Sequence, residues 1–170
     1  MKALNFKAIL LCSVLAMAPV LFSCSSDDDD DEKTAPAYAP GTVERPYTPT
    51  EAINAVSSLT WTSNTEFDST DEVYVKGIIS RVTNNGYYSD TGIYGNASFF
   101  ISEDGSENNE FYCFRVLYLG NKKYTEGRDI QVGDEVVICG KLMNYKGNTP
   151  ETVTGQAYLY SLKLGGSKAK

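Results

Sequence analysis

From Glu72 to Val82 the chain reads E-V-Y-V-K-G-I-I-S-R-V. Val73, Val75 and Ile79 alternate on one face with Gly77 in register, and Tyr74, Lys76, Ser80 and Arg81 mostly take the other. Alternation rich in β-branched residues predicts a half-buried strand. A glycine in mid-strand weakens it unless the strand must bend. The pattern therefore predicts a long first strand, about Val73 to Val82, bent at Gly77 so that each half can pair with a different neighbour. Four more alternating stretches follow. Ala97 to Ser102 sets Ala97, Phe99 and Ile101 against Ser98, Phe100 and Ser102. In the third strand, about Glu110 to Leu119, Tyr112, Phe114, Val116 and Tyr118 share one face. Phe111, Cys113, Arg115 and Leu117 share the other, which Arg115 marks as the wetter. The fourth strand is entered through Ile130-Gln131-Val132-Gly133-Asp134, with Val136, Ile138 and Leu142 inward and Gly140 allowing a bend. Met143 to Val153 reads as a hairpin tip. The fifth strand, about Gln156 to Leu164, sets Tyr158, Tyr160, Leu162 and Leu164 against Lys163.

Between these stretches the chain is punctuated by polar segments and one helix. Thr48-Pro49-Thr50-Glu51 carries the marks of a helix start: a threonine cap, proline at the first helical position and a glutamate that completes a capping box. Ala52, Ile53, Val56 and Leu59 form its apolar stripe, so this short helix should lie on the strands. Thr60 to Thr70 reads as a polar connection, and its Trp61 as a plug for the barrel end beside the helix. Thr83 to Asn96 is a long loop with Tyr87, Tyr88 and Tyr94. Glu103 to Ser106 is a turn. Gly120 to Arg128 shows no helical periodicity.

The first 46 residues carry no such alternation. Lys2 and Lys7 precede an apolar run from Ala8 to Leu21 that is too short to span a bilayer, so residues 1–23 read as a secretory signal peptide. Its end, Leu21-Phe22-Ser23-Cys24, resembles a bacterial lipoprotein lipobox, which makes Cys24 the lipidation site and the membrane a partner through the acyl chains. Two or three chains, at roughly 0.8 kcal/mol per buried CH₂, anchor stably. Asp27 to Glu32 are six consecutive acids, a run that stays solvated. The run resembles the export signal that sends Bacteroidetes-type lipoproteins to the outer face of the outer membrane; a periplasm-facing lipoprotein is the other orientation. Pro36, Pro40 and Pro46 make the rest of residues 24–46 a semi-extended leash. Folding is expected to begin near Tyr47, giving one domain over 47–164 and a tail over 165–170.

The order is a helix, then V-Y-V-K-G-I-I, G-N-A-S-F-F-I, a third strand, V-G-D-E-V-V-I-C-G-K-L and A-Y-L-Y-S-L. It resembles the small OB-fold lipoproteins of Bacteroidetes. The resemblance implies an all-β fold: a five-stranded OB-type closed Greek-key barrel with a short N-terminal helix. It implies nothing about ligand, because its motifs are strand and turn signatures.

Composition narrows the chemistry. The formal charge is -7, and the acid run holds six of the negatives, so the domain is only mildly acidic. It lacks the basic excess that non-specific nucleic-acid affinity draws on. There is no histidine, which removes the commonest general base and transition-metal ligand. Cys113 and Cys139 invite a disulfide in a secreted domain, but strands three and four are expected to flank strand five. Strands lie about 4.8 Å apart, so a strand in between puts the sulfurs beyond bridging geometry and favours free thiols. Asp90-Thr91-Gly92 resembles an aspartic-protease loop without the required second copy. Glu103, Asp104, Glu107 and Glu110 surround a turn and read as solvated. No cofactor motif is present, and the chain is expected to be no enzyme.

OB barrels usually bind across the outer face of strands two and three, flanked by two loops. That places candidate ligand contacts at Tyr87, Tyr88, Tyr94, Phe100, Arg115, Tyr145 and Lys146. The leading reading is a non-catalytic binding or accessory module at the cell surface, with a glycan or protein ligand held by aromatic loops. A single-strand nucleic-acid binder would use Arg115, Lys122, Lys123 and Arg128 on phosphates. A structural adaptor would pair through a barrel edge strand.

Overall fold

The computed structural model describes residues 38–84, 95–125 and 129–165. Helix α1 (Pro49–Val56) is followed by a small hairpin, β1 (Trp61–Ser63) and β2 (Glu66–Phe67). Strands β3 (Val73–Asn84), β4 (Ala97–Ser102), β5 (Phe111–Val116), β6 (Glu135–Tyr145) and β7 (Thr149–Lys163) then close into a barrel in the order β3-β4-β5-β7-β6. Every contact is antiparallel except β5 with β7, which is parallel. Among the described residues this is an all-β, OB-type closed barrel with one short helix.

The bend in β3 does what the glycine implied. Val73 to Ile78 pairs with β6, and Ile78 to Asn84 pairs with β4. At the crossover, a Cβ on Gly77 would lie 3.0 Å from both Ile101 and Pro49, so the helix start rests directly on the bend. Thr48 caps α1 with the full capping box: its side chain accepts from the Glu51 backbone N–H, and Glu51 accepts from the Thr48 backbone N–H. Ala52 and Val56 are fully buried, and α1 packs against all five barrel strands. The helix therefore plugs the barrel end. Trp61, expected in that role, lies on the outside.

Pairing also begins earlier than expected. The Tyr74 N–H donates to Gly41, and Tyr47 bridges β3 in parallel. Gly41 has φ +83° and lies under the Tyr47 ring, where a side chain has no room. The chain from Gly41 to Tyr47 thus covers the half of β3 that β4 does not reach.

Four readings of the strands and their connections are corrected. In β5 the core face is Phe111 and Cys113, both fully buried, and Tyr112 and Phe114 face outward. Arg115 sits at φ +51° in a bulge, where Ser98 opposes two residues and Ser98 Oγ accepts from the Arg115 N–H at 3.0 Å. A bulge re-sets the alternation, so Val116 returns to the core. In β7 the buried pair is Ala157 and Leu159, while Tyr160 is exposed. The strand also begins at Thr149, so the hairpin tip shrinks to Lys146, Gly147 and Asn148. Pro150 near the start of β7 is tolerated where a ladder donor is least needed. The last correction is Thr60 to Thr70, which contains β1 and β2.

Cys113 and Cys139 are free and buried on strands separated by β7. Burial pushes the Cys113 thiol up, and it does the same to Cys139, which lies between Tyr74 and Tyr158 in register. Only thiolates attack readily. Mass mapping after alkylation is expected to find neither peptide labelled in the native protein and both labelled in urea. Fast native labelling of Cys139 would show that its tyrosine cover opens.

Candidate ligand-binding groove

Outward-facing side chains of β5, β7 and β6 form the floor of a groove. Tyr112, Glu151 and Met143 are lateral neighbours across these three strands. Phe114 on β5, Thr149 and Val153 on β7 and Tyr145 on β6 extend the lining. The β1–β2 hairpin supplies a wall with Trp61, Asn64 and Phe67. Trp61 meets Tyr145 edge to face, with centroids 5.6 Å apart. The cavity measures about 670 Å³, within the size range of small-molecule sites.

Two irregularities of the ladder aim polar groups into this groove. The β5 bulge turns Arg115 outward, and its Cζ lies 5.0 Å from the Phe114 centroid. In β7 the register slips between Thr152, opposite Leu142, and Ala157, opposite Gly140. Gly155 has φ +73° within that slip, and Thr154 and Gln156 line the groove. At the seam between β5 and β7, Thr152 Oγ1 accepts from the Phe114 N–H at 2.7 Å and donates to the Phe114 carbonyl at 2.9 Å. A side chain thus completes the ladder where the bulge interrupts it.

Glu151 is the unusual floor residue. It is only 5 % exposed, and among the described residues no ion pair reaches it. Burial pushes its carboxyl up to about 7. Trp61 adds a buried indole N–H with no acceptor among the described residues. A buried, shifted titratable group in an aromatic cleft marks a candidate site on physical grounds.

The predicted contacts divide. Arg115 and Tyr145 line the groove. Lys146 stands at the hairpin tip, φ +54°, with Nζ 5.1 Å from the Tyr145 centroid. Phe100 does not offer a free platform, and that expectation is corrected. Tyr112 stacks on it at 4.4 Å, and the Arg81 guanidinium lies 3.6 Å from its centroid. Two groups that close cannot share one face, so both faces are covered. Tyr87, Tyr88, Tyr94, Asp90, Arg128 and Cys24 lie outside the described residues. Lys122 and Lys123 are exposed but do not line the groove. Of the turn carboxylates, Glu110 is held by Arg81 at 2.8 Å and by Ser80. Burial opposes its charge, yet these partners keep it below the usual carboxylate range. Asp104 is lowered first by the Ser106 side chain and then by the Ser106 N–H, from which it accepts at 2.9 Å. Both are structural.

Sequence reasoning missed Glu151, Trp61, Tyr112, Phe114 and Met143. One signal was available. Lys146-Gly147-Asn148 is a three-residue glycine turn between two alternating runs, a hairpin signature. Reading the strands up to it places Glu151 beside Met143. The sequence matches no protein-family model and no curated protein.

Proposed function

We propose that the chain is a non-catalytic saccharide-binding module, carried on a lipid at Cys24 and displayed at the cell surface. The observation that carries this reading is the groove: aromatic rings around a buried carboxyl, with Asn64, Arg115, Thr149, Thr154 and Gln156 beside them. Sugars present both apolar ring faces and hydroxyls, and this lining meets both. A cavity of about 670 Å³ suits a small ligand. A protein partner needs roughly 800 Å² of each surface. A phosphate backbone would meet the Glu151 acid on the floor. The adaptor reading needs an unpaired barrel edge, and among the described residues the closed order β3-β4-β5-β7-β6 offers no such edge in its favour.

Trp61 is the chain's only tryptophan, so its emission reports on the groove directly. Titration of the purified protein with oligosaccharides is expected to change Trp61 emission, with little dependence on salt. Tyr145→Ala should weaken binding about tenfold or more, in line with roughly 1–3 kcal/mol for stacking on one ring. Emission changes with single-stranded oligonucleotides instead, falling steeply with salt, would overturn the reading.

A further inference from the structure

We propose that the groove takes a sugar bearing a free, protonated amino group, with the ammonium seated on the Glu151 carboxyl among the aromatic rings. The inference rests on the saccharide reading and names its ligand class. Glu151 is nine-tenths buried, and among the described residues it has neither a cation nor a hydrogen-bond donor. Its oxygens keep only a narrow contact with the groove, and a carboxylate so poorly solvated and without a counter-charge is unfavourable. A neutral sugar hydroxyl could donate to it but would leave its charge uncompensated; an ammonium removes the deficit.

The surroundings favour the same class. Trp61, Tyr112, Phe114 and Tyr145 line the groove, and ring faces attract cations. Arg115 already illustrates this, with its guanidinium over Phe114. The charged and titratable groups lining the groove with Glu151 are Tyr112 and Arg115 from β5 and Tyr145 from β6. None of them forms an ion pair with it. Arg115 is the counter-candidate, because an acidic sugar would prefer it.

The test titrates the purified full chain with three oligosaccharides: β-1,4-linked glucosamine, its fully N-acetylated counterpart and an oligouronate. Trp61 emission and calorimetry are the readouts. At pH 7 the free-amine oligomer is expected to bind at least tenfold more tightly than the acetylated one. Its affinity should peak near neutral pH: it falls towards pH 5.5 as Glu151 takes up a proton, and it falls again on the alkaline side because a 2-amino sugar is far less basic than a lysine and loses its own proton there. In Glu151→Gln the ratio of the two affinities should collapse towards one, with a cooperative melt confirming the fold. Equal affinities, a ratio retained in Glu151→Gln, tighter binding on acidification or preference for the oligouronate would each overturn the amine assignment while leaving a saccharide site. Failure of all three oligosaccharides to bind would remove the saccharide reading and this inference with it.

Discussion

Gly140→Ala is expected to prevent stable closure of the barrel. Gly140 lies on β6 between Val73 of β3 and Ala157 of β7. A Cβ there would fall 2.6 Å from the Ala157 Cα and collide with the Gln156 carbonyl oxygen. These are backbone atoms, so no rotamer change relieves the overlap. The strands must separate at the point where β7 slips register, which also carries Thr154 and Gln156 into the groove. Overpacking typically costs about 1–3 kcal/mol, and more where nothing can move. A domain of this size has roughly 5–15 kcal/mol in total. Urea titration should show a loss above about 3 kcal/mol, or the variant should be recovered unfolded. Gly147→Ala is the control. Its φ of +74° strains a side chain, but nothing lies within 4 Å, so it should cost only about 1 kcal/mol. Equal losses in the two variants would show that close approach at Gly140 is not what forbids a side chain.

The legible and illegible parts of the fold separate by cause. The β3 bend, the capping box of α1 and the inward set Val136, Ile138 and Leu142 all follow from local chemistry repeated at a fixed period. Each was readable for that reason. The faces of β5 and β7 were not. In β5, residues 114 and 115 both face outward because a bulge inserts a step that no periodicity predicts. In β7, Tyr158, Tyr160 and Leu162 carry the larger apolar side chains, yet Ala157 and Leu159 fill the interior. The barrel has room there only for a small residue beside a leucine, and outer-face neighbours cover part of the tyrosines, as in the Tyr74–Tyr160 contact at 5.1 Å. The site was half legible. Arg115 and Tyr145 could be placed from the usual ligand face of such barrels. Glu151 became a floor residue only once β7 was seen to start at Thr149. Trp61 entered the groove because a hairpin of seven barely patterned residues, two of them in β2, carries it there.

Glu151 should also leave a mark on stability that needs no ligand. Its carboxyl sits at about 7 in the folded chain because of burial, against about 4.3 when unfolded. Between those values the folded state binds more protons than the unfolded state, so stability falls as pH rises. The loss is complete above about pH 7; the full shift corresponds to roughly 3.5 kcal/mol, and solvent in the open groove reduces what is realised to about 2 kcal/mol. Glu110 and Asp104 act in the opposite sense. Their carboxyls lie below the usual range, so what they contribute is present above their unfolded values and lost only on strong acidification. The two windows do not overlap, and among the described residues with a resolved shift Glu151 is the carboxyl whose window crosses pH 5 to 7. Wild type should therefore show a lower urea midpoint at pH 8 than at pH 5.5. Glu151→Gln should flatten that slope and be more stable than wild type at pH 8 by about 2 kcal/mol. A wild type at least as stable at pH 8 as at 5.5 would mean that the carboxyl is solvated and the groove floor open to water. With the expected result, replacing one acid makes the barrel firmer and the groove indifferent to amines. A residue that weakens its own fold at neutral pH is what the proposed binding role for Glu151 predicts, since function and stability compete.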